Sequence, residues 1–366
     1  MRQRFFFLIL LILLAAAAAA QTKELNEVLG ELNGTLQWNP ISGVGYIDVN
    51  EGAASWSALA ASSNMKSVAF LQEASGRVIF KINSPWVIID YHHLLTTPGI
   101  KRQGGAVLFP EVTVKAIKEY FKRKAEQDSL PRVAVILIDP GHGGKDPGAI
   151  GFHTVDGKSK KILEKDIVLK VAHQLHGLLR RQFPDKKILL TREDDTYLKL
   201  EERTHLANDI QLGEYEAIIF ISIHANASLN KKAKGFEVWY LPPDYRRDLI
   251  NPESLEDENK EIAPILNVLL EEEYTIESIT LAREILSGFD RMVGEITENR
   301  GIKEEYWFVV RNAKMPSVLI ELGFITHGEE GPRLAREDYL QKLTQGIYTG
   351  IRNFIQTFEN SRGFTE

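Results

Sequence analysis

One segment constrains the fold of this chain more than any other: an apolar strand that runs directly into a glycine-rich loop. The β-branched run at 133–138 ends in Asp139-Pro140, and glycines follow at 141, 143, 144, 148 and 151. In α/β enzymes, a buried strand that ends in a flexible loop places a catalytic group at the carboxyl edge of a sheet. His142, in the first turn of this loop, is therefore a candidate site residue.

The loop alone leaves its chemistry open, since it could hold phosphate, a metal or nothing. Lys145 follows the glycine pair, but no hydroxyl residue follows it, so this is not a phosphate loop of the Gly-x4-Gly-Lys-Ser/Thr type. A lone histidine in a loop is more often structural or solvated than functional.

Further polar residues occupy comparable positions. The apolar run 217–223 leads into His224, and Glu321 directly follows the apolar run 318–320. A buried carboxylate is either paired or part of a site, because an unpaired buried charge is costly. Glu164 lies in the first turn of an amphipathic helix expected at 164–183; its alternative role is to complement the helix dipole.

Two imidazoles with one carboxylate form the ligand set of a catalytic zinc, and a second carboxylate could serve as general base. The chain has no cysteine, which excludes thiolate zinc sites and cysteine nucleophiles. The remaining histidines that we weighed fit a structural role better, since they lie on the amphipathic helix or have no partner motif; these are His92, His93, His173, His176 and His205.

Residues 133–358 resemble the zinc-dependent N-acetylmuramoyl-L-alanine amidases of bacterial cell walls, the amidase 3 family. The matching motifs follow in order along the chain and lie at 139–149, 164–166, 190–195 with Arg203 and 207–208, 222–226, 235–240 and 315–324. The resemblance implies that His142, Glu164 and His224 bind Zn²⁺ and that Glu321 is the catalytic carboxylate. The family often continues with Ser-Asn where this chain has Thr326-His327, so His327 is given no role.

The implied reaction is hydrolysis of the amide bond between N-acetylmuramic acid and the L-alanine of the stem peptide in peptidoglycan. Zinc would lower the pKa of a bound water toward ~7, and Glu321 would pass the water proton to the departing amine. Two other functions remain open. A catalytically inert wall-binding module would lack a ligand or the base, and a zinc deacetylase would cluster an Asp with paired histidines.

The expected architecture is a mostly parallel α/β sheet with helices on both faces, preceded by a small β-rich or α+β domain. The alternation of strands and helices is typical of doubly wound folds. Strands are expected at 133–138, 187–191, 217–222, 235–241, 305–310 and 316–321, and helices at 164–183, 198–212, 278–298 and 335–358. The catalytic domain is expected to span 132–360.

The amino terminus predicts export to the periplasm or cell wall. Arg2 and Arg4 precede an apolar run that ends in small residues, as in a signal peptide over 1–20 cut near Ala20. The run is short for a span, which needs ~20 residues, so no stable membrane span is expected after cleavage. The net charge of −6 makes nucleic acid an unfavourable partner.

Residues 23–126 are expected to form the small accessory domain, with 127–132 as linker. Short β-like runs at 35–38, 45–49, 67–70, 76–82 and 86–90 combine with helices at 25–32 and 113–124. The pattern is weakly similar to the copper-amine-oxidase N-terminal-like domains, but His92 and His93 are too few for a copper site. Its role would be a spacer or a surface for wall or partner binding.

The segment 242–276 is an insertion relative to minimal members of the family. It could be a solvated acidic loop with a short helix at 262–270. Alternatively, as in the Gram-negative septal amidases that carry a similar insertion, it would cover the zinc until an activator protein displaces it. In that interpretation the strand at 235–241 ends beside the site, and Glu258 occupies the open zinc position.

Overall fold

The computed structural model describes residues 22–32, 34–39, 44–49, 76–89, 93–103, 106–126, 131–213, 215–250 and 263–360. The chain divides into two compact units. The first consists largely of Arg4–Leu130, and the second of Pro131–Leu249 and Asn267–Phe364. None of the helices in the described part of the chain combines the length and apolarity that a membrane span requires.

The first unit is rich in antiparallel strands. Its elements are β1 Thr22–Glu24, α1 Leu25–Glu31, β2 Gly34–Asn39, β3 Val44–Val49, β4 Gly76–Lys81, β5 Trp86–Ile89, β6 His93–Thr96, β7 Lys101–Gln103, β8 Ala106–Pro110 and α2 Glu111–Glu126. The strands form two antiparallel sheets, of order β2-β3-β4-β5-β6 and β1-β8-β7.

A buried core holds the first unit together, and Phe80 and Phe109 meet there edge to face with ring centroids 4.8 Å apart. The ring of His93 packs on Tyr120 at 4.7 Å. The expected strand at 67–70, together with His92 and the signal segment 1–20, lies outside the described residues. The similarity of this unit to copper-amine-oxidase N-terminal-like domains stays a prediction.

The second unit carries the α/β architecture. Its elements are β9 Arg132–Pro140, β10 Ile150–Val155, β11 Lys158–Leu163, α3 Glu164–Gln182, β12 Lys187–Leu190, α4 Leu200–Asn208, β13 Glu216–Asn226, β14 Phe236–Tyr240, α5 Ala263–Val293, β15 Asn299–Glu304, α6 Phe308–Asn312, β16 Ser317–Phe324, α7 Glu330–Leu334 and α8 Glu337–Asn360.

The sheet of the second unit has six strands in the order β12-β9-β13-β16-β14-β15. The first four run parallel, and β14 runs antiparallel to β16 with β15 parallel to β14. Helices cover both faces, because alternate residues of each strand point to opposite sides. One cluster packs α3, α5 and α8 on the sheet, and another packs α4 and α6 on the opposite face. The expected fold class is confirmed.

Two expected elements differ from the structure. The strand expected at 305–310 is wrong: β15 ends at Glu304, and Phe308–Asn312 form α6. The β-branched pair Val309-Val310 suggested a strand, but both side chains are buried against the sheet from a short helix, so packing overrides local propensity. The helices expected at 262–270 and 278–298 form one helix, α5.

Candidate metal centre and active site

The sheet gathers the predicted site residues at one edge. His142 lies two residues beyond β9, Glu164 is the first residue of α3, and His224 lies near the carboxyl end of β13. Glu321 lies on β16, directly opposite His224 in the register of the two parallel strands. Because β9, β13 and β16 run in the same direction, their carboxyl ends meet at this edge.

The three predicted metal ligands lie close together. His142 Nε2 lies 3.1 Å from Glu164 Oε2, and His224 Nδ1 lies 3.0 Å from Glu164 Oε1. One ligand atom of each residue lies within 4.8 Å of the other two. In the part of the chain that the structure describes, this is the one such group of His, Cys, Asp and Glu side chains.

Backbone geometry allows this approach. His142 itself has φ +59°, a conformation that costs a non-glycine residue energy and recurs at functional sites. A Cβ at Gly141 would lie 2.3 Å from the imidazole of His224, and one at Gly148 would lie 2.5 Å from Glu164 Oε2. Larger residues at these two positions would therefore fill the space between the ligands.

Charge and hydrogen bonding polarise the site. Burial alone would raise the pKa of the Glu164 carboxyl, but hydrogen bonds from His142 and His224 hold that pKa well below its ordinary value. The backbone N–H groups of Ala149 and Ala225 also donate to this carboxylate, at 2.7 and 2.9 Å. Glu164 is thus held as an anion with an oxygen toward each imidazole, which suits a cation ligand.

An aspartate fixes the orientation of the first imidazole. Asp146 Oδ2 lies 2.8 Å from His142 Nδ1, which leaves Nε2 directed at Glu164. A carboxylate that accepts from the far nitrogen of a metal-binding histidine sets its tautomer and ring orientation. Burial would lower the pKa of His142, but Glu164 and Asp146 together raise it. Asp146 belongs to the glycine loop motif, and its role had not been predicted.

Two buried arginines hold the His142 loop, and their roles had also been missed. Arg203 donates to the carboxylate of Asp139 at 2.7 Å and to the carbonyl oxygen of His142 at 2.6 Å. Arg192 donates to the carbonyl oxygens of Pro140 and Gly141 at 2.9 and 2.8 Å. Both arginines lie within matched motifs, so their presence was visible in the sequence, although the loop carbonyls that they bind were not.

Glu321 differs from Glu164 in its surroundings. It is buried, and its Oε2 has no hydrogen-bond partner among the described residues. Burial, together with the negative charges of Glu164 and Glu237, raises the pKa of the Glu321 carboxyl well above its usual range. An orphaned carboxylate beside an anion is costly unless a positive group compensates it.

These observations fit a zinc ion. Ligand atoms around a tetrahedral zinc bound at ~2.0–2.2 Å lie about 3.3–3.6 Å apart, which falls within the 4.8 Å that bounds the ligand atoms of these three residues. Two imidazole nitrogens and one carboxylate are a common catalytic zinc set with an open fourth position. A divalent cation here would also compensate the two carboxylates that burial brings together, Glu164 and Glu321.

Two other residues discussed above complete the account of the site. Glu258 lies outside the described residues. The Nδ1 atom of His327 accepts the backbone N–H groups of Glu329 and Glu330, so this side chain stabilises the start of α7.

Comparison with known proteins agrees with the geometry. The sequence profile described as N-acetylmuramoyl-L-alanine amidase matches residues 136–353. N-acetylmuramoyl-L-alanine amidase AmiA of Escherichia coli strain K12 is 29% identical over 267 residues, which cover 69% of this chain and 86% of AmiA. AmiA of Salmonella typhimurium is 28% identical over 270 residues, covering 70% and 87%.

A solved structure, the N-acetylmuramoyl-L-alanine amidase from Clostridium difficile 630, has 29% identity and a TM-score of 0.46, covering 62% of this chain and 98% of that one. The match of the profile extends over more than half of the sequence and contains all four residues assembled at the sheet edge. This chain therefore belongs to the N-acetylmuramoyl-L-alanine amidase family, whose members are hydrolases of an amide bond in peptidoglycan.

Proposed function

We propose that this chain cleaves the amide bond between N-acetylmuramic acid and L-alanine with a zinc ion held by His142, Glu164 and His224, and with Glu321 as the proton carrier. The observation that carries this proposal is the convergence of three ligand atoms within 4.8 Å of one another, next to a buried carboxylate with an orphaned oxygen. Family membership supplies the reaction class and the peptidoglycan substrate.

When bound, zinc supplies a polarised water of lowered pKa and an electrophile for the carbonyl oxygen. The work of the chain is to place a base beside that water. Glu321 Oε2 accepts no hydrogen bond from the described residues, so it remains available to take a proton. The same carboxyl then donates the proton to the departing amine of L-alanine, which would otherwise be a poor leaving group.

The geometry supports a fixed position for this carboxyl. Glu321 lies inside β16, where all eight residues are buried, so its backbone is held by ladders on both sides. Glu164, by contrast, faces both imidazoles and accepts two backbone N–H groups, which suits a metal ligand. The two glutamates therefore have separate roles.

The test uses the purified full-length chain, loaded with zinc, and isolated sacculi. New amino-terminal alanine on released peptides is the expected product. Acetate as the product would indicate a deacetylase, and binding to sacculi without any product would indicate an inert wall-binding module; either outcome overturns the proposal. Glu321→Gln serves as the control, since it should bind the metal and sacculi without releasing peptide.

We also propose export to the periplasm or cell wall, because the substrate lies there and because residues 1–20 have the pattern of a signal peptide. The accessory region 23–126 would then act outside the cytoplasm, as a spacer or a surface for the wall or for a partner.

We also propose that the insertion 242–276 regulates the enzyme. The sequence predicted that the strand before the insertion ends beside the site, and the structure corrects this point. The strand before the insertion does not end beside the site: β14 is antiparallel to β16, so Glu237 at its start lies opposite Glu321, whereas Trp239 lies opposite Leu319. The insertion therefore leaves the sheet toward the amino end of β16, away from the metal centre.

The two ends of the insertion are fixed there. Arg247 is buried and pairs with Glu271 at 2.6 Å, and it donates to the carbonyl oxygens of Ala313 and Met315 at 2.5 and 3.3 Å. Asn267 accepts from the backbone N–H of Leu249 at 2.6 Å. These contacts leave residues 251–262, which include Glu258, as the part of the insertion able to cover the zinc.

In this proposal a carboxylate such as Glu258 would occupy the open zinc position and block water there, until an activator protein binds the insertion.

The test replaces residues 251–262 with a short glycine linker. It keeps Arg247, Asn267 and Glu271, so the buried contacts at the two ends of the insertion are preserved. Faster sacculus cleavage than the intact chain, with Glu258→Gln giving part of the gain, is expected. A well-folded deletion with equal or lower activity would leave the insertion without an inhibitory role.

A further inference from the structure

The wall of the site on the side away from His142 is built around a second buried glutamate, Glu237. It lies on β14 directly opposite Glu321, and Glu321 in turn lies opposite His224. Residues paired across neighbouring strands point to the same face of a sheet. Metal ligand, proton carrier and Glu237 therefore form one row across three strands, with β15 as the next and last strand of the sheet.

Glu237 is 1% exposed, and its single negative charge is contacted by more than one positively charged side chain. Its carboxylate accepts from Asn226 Nδ2 at 2.7 Å, from Arg300 Nε at 2.6 Å and from Lys303 Nζ. Two cations share one carboxylate, so the cluster holds one positive charge in excess. The structure gives Arg300 and Lys303 no other carboxylate partner in the described part of the chain.

Comparison with the other buried ion pairs shows that this excess is unusual. Among the described residues, Asp139 forms its one salt bridge with Arg203, with side chains 0% and 3% exposed, and Glu271 forms its one with Arg247, at 1% and 5%. Those pairs are balanced and closed to solvent. Arg300 and Lys303 are each 29% exposed, so both side chains keep contact with solvent.

The proposed reaction indicates which part of the substrate lies next to Glu237 and its two cations. Glu321 protonates the departing amine, so the peptide that leaves lies on the Glu321 side of the metal. Neighbouring strands are ~4.8 Å apart, and an extended peptide advances ~3.3 Å per residue. The cations that meet Glu237, one to two strands beyond Glu321, are therefore within reach of about the second or third residue of the leaving peptide.

We propose that Arg300 and Lys303 form a subsite that binds a carboxylate of the leaving stem peptide, close to the scissile amide. This inference rests on the proposed amidase function and extends it to substrate selection. Glu237 holds the two cations at the wall, and Asn226 ties the cluster to the end of β13 beside His224. Charge-assisted hydrogen bonds from a guanidinium and an ammonium suit a carboxylate ligand.

The test compares two soluble muramoyl peptides that differ in one group: the residue after L-alanine carries a free carboxylate or the corresponding carboxamide. The zinc-loaded full-length chain should cleave the acid with a KM roughly 10-fold lower than that of the amide, the range for one charge-assisted contact, and with similar kcat. Arg300→Gln and Lys303→Gln should each reduce this preference, and each leaves Glu237 one cation. Lys342→Gln, an exposed lysine on α8, should keep the wild-type preference.

The outcomes separate the two proposals. Equal KM values for acid and amide in the wild type overturn the subsite but leave the amidase function intact. No peptide release from either substrate or from sacculi overturns the amidase function itself. A preference that survives in both single variants, each with wild-type zinc content and melting temperature, also refutes the subsite. The wild-type comparison holds even if a variant fails to fold.

Discussion

The buried pair of Asp139 and Arg203 offers a quantitative test of how the metal loop is supported. Asp139 is fully buried and accepts from Arg203 at 2.7 Å, from Thr191 at 2.6 Å and from Ser222 at 2.8 Å. Asp139→Asn keeps the shape of the side chain but removes its charge and replaces one acceptor oxygen by a donor. Arg203, whose side chain is 3% exposed, then loses the one carboxylate that pairs with it among the described residues.

Breaking a buried ion pair on one side typically costs about 3–5 kcal/mol. With a denaturant slope of about 2.5 kcal/mol/M, the urea midpoint of the second unit should fall by about 1–2 M. The measurement is urea unfolding followed by circular dichroism, with zinc removed by chelation so that metal binding does not add to stability. Asp338→Asn, in an exposed pair with Arg336, is the matched control and should leave the midpoint unchanged. Equal midpoints for Asp139→Asn and wild type would refute the reasoning.

The same variant should change how the free energy of unfolding depends on pH in acid. Burial would raise the pKa of the Asp139 carboxyl, but Arg203 and the two hydroxyls lower it below its unfolded value. The unfolded state therefore binds more protons in acid, and the contribution of this group is present above about pH 3.9 and is lost as pH falls below that value. Asp139→Asn should show a shallower loss of stability between about pH 4 and pH 2.

Three further predictions concern the metal, the base and export. His142→Ala should lose zinc, as measured by metal analysis of the purified protein, and lose peptide release while keeping its circular dichroism spectrum; full zinc content with normal turnover would rule out this ligand. Glu321→Gln should keep zinc and lose roughly two to four powers of ten in rate, whereas loss of zinc with activity would make Glu321 a ligand. Mass spectrometry of the exported protein should place its amino terminus close to Gln21, and a full-length cytoplasmic protein would contradict this.

The four candidate site residues could be identified in the sequence because each lies at the junction of an apolar segment and a polar loop or helix start. Strands that run in parallel bring such junctions to one edge, so His142, His224 and Glu321 could be grouped without coordinates. The groups that support them act through backbone carbonyls. Arg192 and Arg203 donate hydrogen bonds to backbone carbonyl oxygens. Every residue has such an oxygen, so the sequence does not indicate which one an arginine will bind.

Some features were missed although the sequence contained their signal. The hairpin of β10 and β11 turns at Asp156-Gly157, which both have positive φ. Asp-Gly between two strand-like runs is the residue pair that a two-residue hairpin favours. The helix α6 is different, since its sequence reads as a strand and only its packing against the sheet decides otherwise.

The direction of β14 has the largest consequence for function, and chain length could have predicted it. Nine residues, 227–235, connect β13 to β14, whereas a parallel crossover needs about a dozen or more. The short connection forces β14 to start at the edge where β13 ends, which brings Glu237 beside Glu321 and carries Asn226 into contact with it. The same reversal sends the far end of β14, and the insertion that follows it, to the opposite edge. One strand direction thus both brings Glu237 beside Glu321 and directs the chain that follows β14 away from the site, so any restraint by the insertion must come from its central residues.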